Sequence, residues 1–220
     1  MIDVDIPQLS SRGIYFGIDC FKYTYSLQSS STHSSISSSF DATGIENYLS
    51  FRTMEPSSAS TVVRNRTELN SIPLNVEDLW IGRFDTSDVS EFSPNRFQSL
   101  KTLVIGNGLF WSVNRLELNN LPSLQSIVIG DYCFGKVRVF ELNGLDELES
   151  VVIGQQSFRI SDEERNDGSC RIVNCPKLKS IQIGYQSFWD YHSFELNNLP
   201  SLQSIDIGSC LLYTSPSPRD

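Results

Sequence analysis

The chain has 220 residues, of which 39% are hydrophobic and 20% charged, a composition typical of globular proteins and unlike that of a fully disordered chain. The formal net charge is -9, and because an acidic surface repels phosphate backbones, we expect no nucleic-acid partner. No apolar run approaches the ~20 residues that cross a bilayer, so we expect no membrane span. The opening residues, MIDVDIPQLSS, lack the basic and apolar regions of a secretory signal.

Residues 1–27 carry a spacing that returns later in the chain. Gly17 is followed three residues later by a Cys-Phe pair, as Gly130 is. A proline and a leucine precede the glycine in both places, although the N-terminal copy has two extra residues between proline and glycine. We therefore predict a divergent N-terminal repeat in this segment.

Residues 28–70 differ sharply in composition from the rest of the chain. Eight of the eleven residues at 29–39 are serine. Such a stretch buries too little apolar surface to offset the entropy of ordering it, so we expect a flexible insert. Residues 40–70 mix a few aromatic side chains with polar runs, and their pattern assigns no element.

A tandem repeat at 71–208 is the strongest signal in the sequence. The dipeptide Ile-Gly recurs at spacings of 24, 24, 24, 30 and 24 residues, and the stretches at 116–130 and 194–208 share 13 of 15 residues. A fixed period of this length is the signature of a repeat architecture. The repeated glycines are Gly82, Gly106, Gly130, Gly154, Gly184 and Gly208.

The repeats align into apolar columns. Two β-branched or leucine columns alternate around a variable position, as in Ile127-Val128-Ile129, and a period of two predicts a short strand that faces a core. Stacked neighbours would bury these faces, which no repeat could bury alone. We therefore predict a β-rich solenoid with coils of about 24 residues and short parallel strands. Further inward columns are Phe110, Phe134, Phe158 and Phe188, and Leu118, Leu142, Ile172 and Leu196.

Two turn columns agree with this prediction. The glycine after each strand suits either a positive φ or a close approach to the next coil. A second column alternates between asparagine and glycine, the two residues that most readily adopt the left-handed conformation. Its members are Asn120, Gly144, Asn174 and Asn198.

Two segments resemble the repeat of BspA-like leucine-rich-repeat proteins. They are IGDYCF at 129–134 and NCPKLKSI at 174–181. The chain departs from that family in its 24-residue period, where ~23 is usual, and in lacking the family's cysteine after the phenylalanine. The resemblance implies a curved leucine-rich-repeat solenoid and a non-catalytic interaction scaffold or surface module. It also implies a protein partner and no cofactor.

Candidate binding residues come from positions that face outward. The residue between the two core columns changes from repeat to repeat, and aromatic residues follow some glycines. Aromatic side chains exposed on one face are typical of an interaction patch, although they could equally pack between coils. These candidates are Trp80, Tyr132, Tyr185, Gln182 and Asp206.

Charged candidates come from two further places. Three glutamates share one outward strand position, with Arg171 as the exception, and such a stripe could dock a basic partner. The 30-residue repeat adds a charged loop at 159–168, and insertions in repeat arrays often carry binding. These candidates are Glu117, Glu141, Glu195, Asp162, Glu163 and Glu164.

No catalytic or metal-binding motif is evident. His33 and His192 stand in neither a metal-ligand nor a catalytic-triad spacing. Cys170 and Cys175 align with core positions of other repeats and are interpreted as small core hydrophobes, with a disulfide between them as the alternative. Free core thiols favour a reducing, cytoplasmic compartment.

Two other functions stay open beside the interaction scaffold. A parallel β-helix enzyme acting on carbohydrate would need clustered carboxylates and three strands per coil. Alternatively, the repeats are the recognition segment of a larger signalling protein or enzyme.

Residues 210–220, CLLYTSPSPRD, resemble the translation of a transposase sequencing adapter. We therefore expect a non-native tail at 209–220 and an array that is cut off.

Overall fold

The computed structural model describes residues 56–160 and 167–208, together with the backbone of four short strands before residue 38. These residues form fifteen strands, one short α-helix and one 3-10 helix. The strands pair in parallel throughout the described chain. The predictions of a β-rich fold and of short parallel strands are therefore confirmed.

The strands belong to two open sheets. In chain order they are β1 (Ile2–Asp5), β2 (Ile14–Phe16), β3 (Leu27–Ser29), β4 (Ile36–Ser37), β5 (Thr61–Val63), β6 (Asp78–Ile81), β7 (Thr102–Ile105), β8 (Arg115–Leu118), β9 (Ser126–Ile129), β10 (Val139–Asn143), β11 (Ser150–Ile153), β12 (Gly168–Val173), β13 (Ser180–Ile183), β14 (Tyr191–Asn197) and β15 (Ser204–Ile207). One sheet has the order β3-β1-β14-β12-β10-β8 and the other β4-β2-β15-β13-β11-β9-β7-β6-β5. From β7 onward the chain alternates between the two sheets.

The pairing register follows the sequence repeat. Ile127 on β9 lies opposite Val151 on β11, which lies opposite Ile181 on β13. Each aligned column of the sequence is thus a row of neighbouring Cα atoms that runs across a sheet. Because side chains on a strand alternate between faces, the two core columns point inward together in every repeat.

A stack of phenylalanine rings fills the core beside the nine-stranded sheet. Phe110, Phe134, Phe158 and Phe188 are fully buried, and successive ring centroids lie 5.5, 5.1 and 4.8 Å apart. All four residues have a positive φ, between 56° and 59°. This conformation costs an L residue on the order of 1 kcal/mol, and burial of the ring offsets that cost.

The glycine column resolves into one of the two predicted roles. A Cβ on Gly154 would lie 2.5 Å from the carbonyl carbon of Gly130, and one on Gly184 would lie 2.6 Å from that of Gly154. The positive-φ glycines of the described chain are instead Gly108 and Gly144. The repeated glycines therefore permit backbone to stack on backbone. The predicted left-handed column is confirmed, with φ of 53° to 66° at its four members.

Residues 56–100, part of which the sequence pattern left unassigned, lie at one edge of the molecule. The helix α1 (Arg66–Asn70) follows β5, and a 3-10 helix (Pro94–Arg96) follows β6. The side chain of Asn95 donates to the Glu117 carbonyl at 3.0 Å and accepts from the Asn119 amide at 3.1 Å. Asn95 thus bonds edge strand β8 as a neighbouring parallel strand would.

At the same edge, the column of phenylalanines is interrupted by a threonine. Thr86 occupies the phenylalanine position of its repeat and accepts a hydrogen bond from the Phe110 amide at 2.7 Å. Phe92, from the following loop, supplies the missing ring and stacks on Phe110 at 4.3 Å. The core therefore continues to this edge although the sequence column breaks.

Replacing glycine in the column that stacks backbone on backbone should destabilise the protein. We expect Gly154→Ala to lower the free energy of unfolding by about 2 kcal/mol, because the added methyl meets backbone atoms of the preceding repeat. Gly144→Asn is the matched control. It introduces the residue found at three equivalent positions, into a site with nothing within 4 Å of an added Cβ, and should change stability by less than about 1 kcal/mol. Equal denaturant midpoints for Gly154→Ala and the parent chain would contradict the close stacking.

Candidate functional site

The turns that leave the nine-stranded sheet stack along one edge of the molecule. We call residues 106–111, 130–135, 154–159 and 184–189 the turn ridge. Side chains connect its members: the Asp131 amide donates to Asn107 Oδ1 at 2.8 Å, and the Gln155 amide donates to Asp131 Oδ1 at 3.0 Å. These bonds link neighbouring turns into a continuous ridge. The turns line up because the strands that precede them lie in register.

Buried hydroxyls hold the ridge from beneath. Ser157 Oγ donates to the Gly130 carbonyl at 2.7 Å and accepts from the Cys133 amide at 3.0 Å. Ser187 Oγ donates in the same way to the Gly154 carbonyl at 2.6 Å. Because these bonds join one repeat to the next, they fix the backbone that presents the exposed positions.

Aromatic side chains project from this fixed backbone. Tyr132 is 46% exposed and Tyr185 is 45% exposed, so both predicted candidates lie at the surface. Trp111 is 39% exposed and belongs to the same ridge, although the sequence did not single it out. Its ring lies over Gly135, where a Cβ would be 2.5 Å away. The sequence signal that could have identified Trp111 is Gly135, which occupies the same column one repeat later and leaves room for the ring.

A cation adds to the aromatic surface further along the ridge. The guanidinium of Arg159 lies 5.4 Å from the ring centroid of Trp189, within cation–π range. Arg159 also donates to Gln156 Oε1 at 3.1 Å. The ridge thus combines tyrosine, tryptophan and arginine, the residues most enriched among interface hot spots.

The outward column of the nine-stranded sheet offers less free surface than predicted. Trp80, Gln182 and Asp206 are all half-buried. Val104 and Val128 share the column, yet they are only 5% and 3% exposed and lie outside the core cluster. Within the described chain, the exposed aromatic surface therefore lies on the turns and not on this strand face.

The glutamate stripe is in register but largely neutralised. Glu117, Glu141 and Glu195 occupy one row of the six-stranded sheet. Arg171 Nε donates to Glu195 at 2.8 Å and its Nη1 to Glu141 at 3.1 Å, while Arg115 pairs with Glu117 at 2.7 Å. The hydrogen bond to Glu195 is the main cause that raises the pKa of Arg171. The stripe consequently carries less charge than its glutamates indicate.

The charged insertion at 159–168 supplied the last three candidates. Asp162, Glu163 and Glu164 lie outside the described residues. Just beyond them, Asp167 pairs with Arg138 at 2.5 Å. The prediction that this loop carries binding stays a prediction.

The described cysteines are buried free thiols. Cys133, Cys170 and Cys175 form no disulfide, and Cys170 lies in register between Phe140 and Phe194. The interpretation of Cys170 and Cys175 as core residues is therefore confirmed. Burial raises the pKa of Cys133 to about 12 and that of Cys175 to about 11.

The described residues contain neither a metal-binding cluster nor a membrane-spanning helix, and the sequence matches no known protein in three comparisons. Among the residues that the structure describes, no group of three or more His, Cys, Asp or Glu side chains could hold a metal ion. No helix in these same parts of the chain is long and apolar enough to cross a membrane. Neither a protein-family model, nor a curated protein, nor a solved structure matches the sequence.

Thiol reactivity tests the burial of the cysteines. In a Cys20→Ser, Cys210→Ser variant, we expect the three remaining thiols to resist iodoacetamide at about pH 8, because burial disfavours the reactive thiolate. All three should react after denaturation, and mass spectrometry would count the adducts. Rapid modification of the native variant at Cys133 would contradict the assigned core position.

Charge reversal tests the role of Arg171. We expect Arg171→Glu, which places another carboxylate between Glu141 and Glu195, to lower the free energy of unfolding by about 1 kcal/mol at low salt. The Arg171 side chain is 42% exposed, so about 0.5 M NaCl should recover part of that loss. Arg171→Met, which keeps the aliphatic stem, should cost less. A loss for Arg171→Glu that is insensitive to salt would show that repulsion is not its cause.

Proposed function

We propose that the protein is a non-catalytic solenoid of the leucine-rich-repeat type that binds a protein partner through its turn ridge. The sequence resemblance to BspA-like repeats favours this class, and two parallel sheets with a 24-residue register are compatible with it. In this proposal the repeats form a scaffold, and the side chains on the ridge supply the contacts.

The distribution of exposed apolar side chains is the observation that carries the proposal. Of the four large hydrophobic residues exposed in the described chain, three lie on the turn ridge, namely Trp111, Tyr132 and Tyr185. The fourth, Leu74, precedes β6 and lies outside the turn ridge. Since tyrosine and tryptophan bury large areas with few rotatable bonds, three such side chains exposed on one ridge favour a protein partner.

Preorganisation supports the same proposal. Tyr132 has a φ of 58°, and its amide donates to the Gln155 carbonyl at 2.9 Å, so the next repeat holds its backbone. The Gln156 amide donates to the Tyr185 carbonyl in the same manner, at 2.7 Å. Binding to a surface that is already ordered loses less conformational entropy than binding to a flexible one.

Site-specific photo-crosslinking would test this proposal in cells. A benzophenone amino acid at Tyr132 or at Tyr185 should give a shared set of cross-linked products. The same group at Leu74 is the matched control, since it is exposed but lies off the ridge. Identical products from all three positions, or none from the ridge, would contradict binding through the turn ridge.

Alanine substitution would then measure the contribution of the ridge. With the cross-linked partner purified, Trp111→Ala, Tyr132→Ala and Tyr185→Ala combined should weaken binding by about 100-fold, the loss of about 3 kcal/mol expected from aromatic hot spots. Trp80→Ala separates the two candidate surfaces, because Trp80 lies on the strand face. An unchanged dissociation constant for the triple variant, with weaker binding by Trp80→Ala, would move the site to that face.

A further inference from the structure

The turn ridge carries little charge, although the chain as a whole is acidic. The charged residues of the ridge are Asp131 and Arg159, whereas the net charge of the chain is -9. Asp131 is buried, and its Oδ1 accepts a hydrogen bond from the Gln155 amide. Electrostatic complementarity selects partners of opposite charge. A neutral ridge therefore suits a partner that is recognised by apolar contact and hydrogen bonds.

The backbone of the ridge has already used amides that an incoming β-strand would need. The Tyr132 amide donates to the Gln155 carbonyl of the next repeat. The Gln156 amide donates to the Tyr185 carbonyl, and the Gly108 amide also bonds to the next repeat, at 2.8 Å. Addition of a strand depends on free main-chain groups along an edge. A partner that binds the ridge therefore contacts mainly its side chains.

A side-chain amide with a fixed orientation lies between the two exposed tyrosines. Gln156 belongs to the repeat that separates Tyr132 from Tyr185. Arg159 Nη1 donates to Gln156 Oε1, and the guanidinium of Arg159 lies over the ring of Trp189. Because a guanidinium can only donate, this contact identifies the oxygen of the amide. The Nε2 of Gln156 is left as the donor end, beside two aromatic side chains.

A proline-rich segment complements such a surface. Its rings are apolar, and proline has no amide N–H to donate. In the polyproline II conformation the carbonyls have no internal hydrogen bond, so they are free to accept one from a partner. The carbonyls of an α-helix are already bonded within the helix. Aromatic faces together with an amide donor therefore favour a polyproline II ligand over a helical one.

The spacing of the tyrosines agrees with this ligand. Tyr132 follows β9 and Tyr185 follows β13, and β11 lies between these strands in the sheet. Two strand spacings of about 4.8 Å separate equivalent positions of these turns by roughly 9.6 Å. Tyr132 is the second residue after its glycine and Tyr185 is the first. A polyproline II helix repeats every three residues, or about 9.3 Å. Successive turns of the ligand would thus meet successive tyrosines.

We infer that the turn ridge binds a proline-rich segment of its partner in the polyproline II conformation. Two prolines three residues apart pack against Tyr132 and Tyr185, and a carbonyl between them accepts a hydrogen bond from Gln156 Nε2. Aromatic surfaces are the usual binding sites for such segments. This inference rests on the proposed binding through the turn ridge and adds the chemical class of the ligand.

Selection from a peptide library tests the ligand class. Random dodecapeptides displayed on phage would be selected on the full chain and counter-selected on the Tyr132→Ala, Tyr185→Ala variant. We expect the enriched peptides to carry two prolines three residues apart and to bind this variant at least about tenfold more weakly. Enriched peptides that need the tyrosines but lack this pattern would overturn the polyproline II ligand and still support binding through the ridge. Absence of any peptide that needs the tyrosines would also overturn the inference, while photo-crosslinking at Tyr132 would test the proposed function separately.

A second variant tests the assigned donor. We expect Gln156→Glu to weaken binding of a selected peptide by about tenfold, because the carboxylate still accepts from Arg159 but cannot donate to a ligand carbonyl. Gln125→Glu is the matched control. It adds the same charge at an exposed position off the ridge, and the dissociation constant should not change. Fluorescence anisotropy with the labelled peptide would measure both. Equal dissociation constants for the two variants would overturn the hydrogen bond from Gln156 to the ligand.

Discussion

Close stacking of backbone on backbone at the repeated glycines sets the geometry of the whole molecule. Each of these glycines lies directly above the preceding one, with no room for a Cβ at Gly154 or Gly184. The contact fixes the register of the nine-stranded sheet, and that register brings equivalent side chains into rows. The phenylalanine stack, the serine bonds between repeats and the row of turns all follow from this one constraint.

The same constraint explains why unfavourable local conformations are tolerated. Phe134 and Tyr132 both have a positive φ, which an isolated peptide would avoid. In the stack, the ring of Phe134 packs between those of two neighbours, and the amide of Tyr132 bonds to the next repeat. Contacts with neighbouring repeats thus offset the conformational cost of the positive φ, and the resulting turn leaves Tyr132 exposed at the surface. The exposed aromatic residues are thus a consequence of how the core is packed.

The sequence alone predicted the features that depend on periodicity. The strand columns, the buried phenylalanines, the left-handed Asn/Gly positions and the core cysteines were all legible as residues recurring at a fixed spacing. The exposure of Tyr132 and Tyr185 was one of two alternatives, since a place in the variable part of the turn was equally compatible with packing between coils. Periodicity reports which residues share a row, and rows determine burial.

Features that break the period could not be predicted in the same way. Phe92, which lies outside the repeated column, supplies the ring that is missing at Thr86. The side chain of Asn95 makes a hydrogen bond to β8 that a neighbouring strand would otherwise make. The exposure of Trp111 depends on Gly135 in the following repeat. The position of β1 and β2 beside β14 and β15 depends on a contact between distant parts of the chain. Each of these arises where the stack has an edge or a local gap.

The central claim is our proposal that the exposed aromatic side chains of the turn ridge bind a protein partner. Hydroxyl-radical footprinting of the full chain, free and bound to its partner, tests this most directly. The account predicts rapid oxidation of Trp111, Tyr132 and Tyr185 in the free protein, slow oxidation of buried Tyr191, and protection of the first three on binding. Protection of Tyr132 and Tyr185 in the free chain, or oxidation unchanged by the bound partner, would contradict it.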